Sequence, residues 1–150
     1  MKEIQVIPLQ SAIGVNLGWT QEETHEKIGK PDRTWEQSDY YQKELPMFSV
    51  DYDSDNRVEY ISISNPKEEG IKILYRGIDV FGTPATDLIE QIENLTDLRY
   101  DRGDPELQYS FIFQDVDLSF WRPVLQENEN DEGGKYFEAI GIGIKGYYTD

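Results

Sequence analysis

The chain has 150 residues, 30 acidic and 14 basic, giving a net charge of −16, with no cysteine and a single histidine. That surplus of negative charge disfavours nucleic acid and anionic lipid and favours basic protein surfaces. The absence of cysteine excludes a disulfide scaffold, a thiolate zinc site and a cysteine nucleophile.

Hydrophobic residues make up 37% and aromatic residues 13%, too much for a disordered acidic tail, and the ten Tyr, six Phe and three Trp favour strands. The length suits one domain. No stretch approaches the ~20 apolar residues of a membrane helix, and the N-terminus lacks an apolar signal core. The expectation is a soluble, cytoplasmic protein. Charge grows along the chain, with net −3, −6 and −7 in successive blocks of fifty residues.

Ile4 to Ile7 is an apolar run ended by Pro8, an opening strand or extended arm. Thr20 followed by Glu23 is a capping box, and Glu22, Glu23 and Glu26 complement the dipole of a helix beginning at Gln21. Gly29 and Pro31 end that helix at about Ile28. Arg33 to Glu36 opens a strand. Met47–Tyr52 and Val58–Ile63 alternate apolar and polar residues around the turn chemistry of Asp53-Ser54-Asp55-Asn56, which predicts a hairpin.

A second cycle starts with strands at Ile71–Tyr75 and Ile78–Val80. Thr83 as N-cap and Pro84 at the first helical position open a helix to about Asn94, with Leu88, Ile89, Ile92 and Leu95 on its buried side. Tyr109–Phe113 and Val116–Phe120 form a second hairpin around Gln114-Asp115. Gln126 to Gly134 reads as an acidic surface loop, and Tyr136 to Tyr148 as a long final strand.

The two cycles match at an offset of 63 residues: Gly14-Val15-Asn16-Leu17 corresponds to Gly77-Ile78-Asp79-Val80, and Thr20 to Thr83. The expected fold is α+β, an antiparallel sheet with short helices on one face. It comprises a single domain over 1–150, with pseudo-repeats of helix and hairpin at about 11–64 and 74–121 and a final strand at 136–148.

Gly18-Trp19-Thr20-Gln21-Glu22-Glu23-Thr24, running on to Ile28-Gly29-Lys30-Pro31, resembles a helix-opening motif, Gly-Met-Thr-x-Glu-Glu-Val…Leu-Gly-x-Pro. That motif belongs to small αβ repeat proteins similar to β-lactamase inhibitor protein and to the small lipoprotein subunit of the outer-membrane assembly machine. Trp19 and Thr24 depart from its usual Met and aliphatic residue, and the lipoprotein cysteine is missing. The resemblance implies protein binding across the face of a curved sheet. In composition and architecture the chain also resembles the small immunity proteins that neutralise bacterial toxins.

Motifs for chemistry are sparse. Asp51, Asp53 and Asp55 imitate the start of a calcium loop, but Asn56 and Ser62 stand where Gly and a bidentate Glu are needed, so a hairpin turn is the expectation. His25 has no second histidine to share a metal or a proton. Gly141 to Gly146 lacks the spacing and helix of a phosphate loop. Asp115 and Asp117 would share one face of a strand.

The expected function is therefore non-catalytic: an acidic immunity or inhibitor protein, without cofactor or metal, neutralising a basic toxin domain such as a nuclease. The partner would be a basic protein, with no nucleic acid and no membrane, and the chain a monomer or weak homodimer. Tyr40, Tyr41 and Tyr100 are candidate anchors. Asp101, Asp104, Asp115, Asp117, Glu127, Glu129, Asp131 and Glu132 are candidate steering charges. The alternatives are a scaffold or small-ligand-binding module of the same fold, and an enzyme using two carboxylates.

Overall fold

A computed structural model describes residues 2–149. In chain order the elements are β1 (Lys2–Ile7), β2 (Ser11–Ala12), β3 (Val15–Asn16), α1 (Gln21–Ile28), β4 (Arg33–Trp35), β5 (Ser38–Tyr41), β6 (Phe48–Tyr52) and β7 (Val58–Ser64). There follow β8 (Ile71–Tyr75), β9 (Ile78–Asp79), α2 (Ala85–Leu95), β10 (Ser110–Phe113), a 3-10 turn (Gln114–Val116), β11 (Leu118–Trp121) and β12 (Ala139–Gly143). The fold is α+β.

Among the described residues the strands form two sheets rather than the single antiparallel sheet expected. The smaller has the order β3-β2-β1-β8-β9 and the larger β10-β11-β12-β7-β6-β5-β4. The small sheet contains a parallel pair, β1 with β8, which places Ile4 beside Ile73. One apolar cluster joins the small sheet, α2 and the inner face of the large sheet through residues such as Ile4, Ile73, Leu88, Ile61, Phe120 and Ile142.

Residues of the two cycles occupy matching turns. Ile13-Gly14 has φ of 49° and 80°, and Arg76-Gly77 has φ of 52° and 82°. Two consecutive positive φ values are what a tight hairpin turn needs to follow the twist of its strands, and glycine at the second position meets that without steric cost. Both turns are followed by a short strand and then a helix. After α1, however, come four strands, and after α2 a hairpin and a return strand, with β7 and β12 paired antiparallel at the centre of the large sheet.

Helix α1 spans the expected residues, with the reciprocal capping box of Thr20 and Glu23 formed and Gly29 at φ 91° as its C-cap. Helix α2 has no side-chain cap. Thr83 is not its N-cap, because its hydroxyl donates to the Asp79 carbonyl oxygen at 2.6 Å. Leu95 ends the helix and is 62% exposed, so the apolar stripe stops at Ile92. The final strand is also shorter than expected. It stops at Gly143, and residues 144–149 turn back across the sheet, with the Tyr147 amide donating to the Ile144 carbonyl oxygen.

Candidate binding face of the large sheet

Strand alternation gives the large sheet two unlike faces. On β7, Ile61 and Ile63 point inward and are 1% exposed, while Tyr60, Ser62 and Ser64 point outward. The pairing carries this set across the sheet: Ser62 lies between Ser49 and Gly141, Gly141 faces Ser119, and Ser119 faces Ile112. In the neighbouring row Ser64 meets Ala139, which meets Trp121. The outer face is thus built mostly from serine, alanine and glycine, which leave it low and open. Two tryptophans stand up from it, Trp35 on the edge strand β4, 65% exposed, and Trp121 on β11, 45% exposed.

The turn at residues 144–149 lies across the middle of this face. Tyr147 stacks on Tyr60 with ring centroids 4.7 Å apart. The hydroxyls of Tyr60, Ser119 and Tyr148 lie 3.0, 2.9 and 2.7 Å from one another in a triangle. A Cβ at position 141 would collide with the Tyr60 hydroxyl, which is why only glycine fits there. Burial pushes the Tyr60 and Tyr148 hydroxyls above the ordinary tyrosine value and moves Tyr147 up to about 12. All three rings are therefore neutral at physiological pH.

Asp117 fastens this turn. It is 1% exposed, and its carboxylate accepts the Gly146 amide at 2.8 Å and the Tyr148 amide at 3.0 Å. It adopts φ 49° just after the 3-10 turn, so Asp115 and Asp117 do not share a strand face. Asp117 is a structural clamp, not a surface charge for a partner. Asp115 remains exposed on the turn.

The tyrosines expected as anchors separate. Tyr40 lies on the outer face, opposite Ser49 and Arg33, with the Arg33 guanidinium 4.8 Å from its ring centre. Tyr41 turns the other way, stacks on Phe48 at 4.6 Å, and donates its hydroxyl to the Gly29 carbonyl oxygen. Its burial pushes that hydroxyl up to about 12. Tyr100 packs edge-on against Phe111 at 5.0 Å and lies under the Arg102 guanidinium at 3.8 Å. Tyr41 and Tyr100 serve packing, because each ring has an apolar neighbour on its inner side.

The acidic candidates do not gather into one patch. Asp101 accepts the Gly103 amide and the Gln114 side-chain amide, and Asp104 accepts the Glu106 amide. Glu127, Glu129 and Glu132 are exposed on the loop between β11 and β12. Asp131 holds that loop together by accepting the amides of Glu127 and Gly133. Buried Arg122 anchors its base, donating to the carbonyl oxygens of Gln108 and Gly134 at 2.8 Å. Asp115 sits at the Phe113–Leu118 end of the β10–β11 hairpin, and this loop leaves from the Ser110–Trp121 end. The two groups of charges lie beyond opposite ends of the same strands.

Tyr40 and Tyr41 share β5 with Ser38 and Asp39. Asp39 is fully buried, and its carboxylate receives the Thr34 hydroxyl at 2.7 Å, the Tyr52 hydroxyl at 2.8 Å and the Gln21 amide at 3.2 Å, with His25 Nε2 at 2.6 Å. This assigns the single histidine a structural partner that sequence spacing did not reveal. The Asp53 carboxylate accepts the amides of Asp55 and Arg57, closing the hairpin turn at the calcium-like stretch. Nearby, desolvation together with the Asp53 and Asp51 carboxylates raises Glu59 above its ordinary value.

Sequence reasoning missed Trp35, Trp121 and the serine-rich floor as one surface. The polar members of the alternating strands carried the signal, for beyond Glu59 the outward residues of β7 are Tyr60, Ser62 and Ser64, short or aromatic side chains without charge. Among the described residues no helix is long and apolar enough to cross a membrane.

No family model matches the chain, and no curated protein matches it. Among solved structures it is similar to a DUF4309 family protein, YjgB, from Bacillus subtilis, with a TM-score of 0.56 and 15% identity, over 91% of this chain and 86% of that one. At that identity the likeness concerns the fold alone.

Proposed function

We propose that this chain is a non-catalytic binding protein of the immunity or inhibitor kind, which docks a basic protein domain on the β4–β6 half of its outer sheet face. The observation that carries this reading is Trp35. It is 65% exposed on a strand that pairs on one side only, beside Tyr40 and Ser38 of the neighbouring strand. Large aromatic rings of this kind concentrate binding energy at protein interfaces. Strand β4 also offers a free backbone edge for pairing with another chain.

The net charge of −16 supports a basic partner, since it accelerates encounter with a positive surface. The exposed acids of the 126–134 loop contribute to that field without touching the docking site. The resemblance of the helix-opening motif to inhibitor proteins points the same way, and the reading places the protein's work in the cytoplasm, against a toxin domain whose own substrate is anionic.

The test is capture at low salt from the native host, with the wild-type chain and Trp35→Ala as paired baits. The expected outcome is one stoichiometric partner carrying a basic domain, released by moderate salt, retained poorly by the variant and toxic when expressed alone. A partner held equally by both baits and insensitive to salt would overturn the docking site and the steering together.

A further inference from the structure

The other half of the outer face carries a feature that the docking reading does not use. Between Trp121 and the Tyr60–Tyr148 hydroxyl triangle lies a cavity of about 380 Å³. Ser62, Ala139 and Gly141 form its floor, Trp121 and Ile112 stand on one side, and Ser110 and Ser119 add hydroxyls. The volume falls at the small end of the range of about 300–1,000 Å³ typical of ligand pockets.

Three properties narrow the occupant. First, no charged side chain lines the cavity, although 44 of 150 residues are charged, 30 acidic and 14 basic. No side chain of the lining offers a counter-charge, so an uncharged ligand is favoured over an ionised one. Second, apart from the Trp121 indole N–H, the polar atoms of its side chains are hydroxyls from serine and tyrosine, each able to donate and to accept. In the closed triangle each hydroxyl keeps acceptor capacity for an incoming O–H. Third, the tallest wall is an indole, 45% exposed, whose negative ring face attracts the positive C–H edge of a saturated ring. A ligand with C–H bonds on one face and hydroxyls around its rim satisfies all three.

We propose that this cavity binds an uncharged sugar ring, stacked on Trp121 and hydrogen-bonded to Ser62, Ser110 and the Tyr60–Ser119–Tyr148 triangle. Binding is non-covalent. The site is distinct from the Trp35 docking surface, so either can fail without the other.

The experiment is a titration of the full chain followed by backbone and indole NMR shifts, with methyl β-glucoside, methyl β-galactoside and N-acetylglucosamine as probes and glucuronate as the charged control. The expected result is saturable shifts at Trp121, Ser62 and Ser110 with at least one neutral probe at millimolar concentration, and none with glucuronate. A trisaccharide of the responsive sugar distinguishes sources: tighter binding assigns the cavity to a glycan chain, equal binding to the free sugar.

Trp121→Ala should weaken binding about tenfold, the loss of one stacking contact. Ala139→Leu, which fills the floor, should abolish it, and Trp35→Ala should leave it unchanged. Circular dichroism of each variant confirms folding, and Trp121→Phe, which keeps a ring, should restore most of the affinity lost in the alanine variant. The absence of saturable shifts with every neutral probe would overturn the proposal. So would binding indifferent to a folded Ala139→Leu variant.

Discussion

The two helices occupy the same place in the two halves of the chain but are held by different physics. Helix α2 buries Ala85, Leu88, Ile89 and Ile92 and has no side-chain cap. Helix α1 buries only Thr24, and is held by its capping box and by the bonds of Gln21 and His25 to the buried Asp39. An apolar stripe tolerates a poor end because area removed from water supplies the stability. A polar helix of eight residues, which sets Ile28 against the apolar cluster but buries no apolar side chain fully, has little such reserve, so its directional contacts matter more. Similar placement in a fold therefore says little about what keeps an element there.

That contrast breaks most visibly at α2. Leu88→Ala should cost about 3–4 kcal/mol, transfer plus cavity, measured by chemical denaturation. Removing the Asp39 carboxylate with Asp39→Ala should cost about 3 kcal/mol, since it takes the acceptor from four donors at once, among them the buried Tyr52 hydroxyl and the half-buried Gln21 and His25. Amide exchange in α1 should rise in that variant far more than exchange in α2; an equal rise would show that the helices are held alike. Thr20→Ala should cost about 1 kcal/mol and fray the first turn of α1. Thr83→Ala, which lacks a capping bond to lose, should cost less at the corresponding position of α2.

The smallest effect appears only in acid. The backbone amides of Gln42 and Lys43 hold the Asp32 carboxyl below its ordinary value of 3.8, just past the end of α1. A lowered folded value means that this contribution is complete above pH 3.8 and disappears as pH falls through the lower folded value. Asp32→Asn should therefore lower Tm above that pH, with the two melting curves converging in stronger acid. A gap that persists unchanged into strong acid would assign the effect to shape and not to charge.

Local chemistry was legible in the sequence wherever neighbours in the chain decide the outcome. Helix α1 begins and ends as its capping box and Gly29 dictate, and the β6–β7 hairpin follows from its alternation and turn residues. What long-range contacts decide was not legible. The pairing of β1 with β8 comes from two apolar runs nearly seventy residues apart, and nothing in either specifies a parallel partner. Asp117 read as a surface charge, and the burial of Asp39 left no local trace, because their donors come from elsewhere: Gly146 and Tyr148 for the first, Gln21 and His25 for the second. The long final strand failed for the same reason, since the clamp that ends it is a carboxylate from the β10–β11 turn. The outer face was half legible, because its short uncharged side chains are present in the strands, but the rows they form exist only once register is set.

The cross-pairing of the two halves has a consequence for how the chain acquires its shape. Lys2 pairs with Ile71 in the small sheet and Ser64 with Ala139 in the large one, so each sheet is completed only when both halves are present. Loops of this length must lose their entropy before the pairing returns any free energy. The halves thus resemble each other in sequence yet depend on each other's strands, and the expectation is a slower, more cooperative assembly than that of a solenoid whose repeats add one by one.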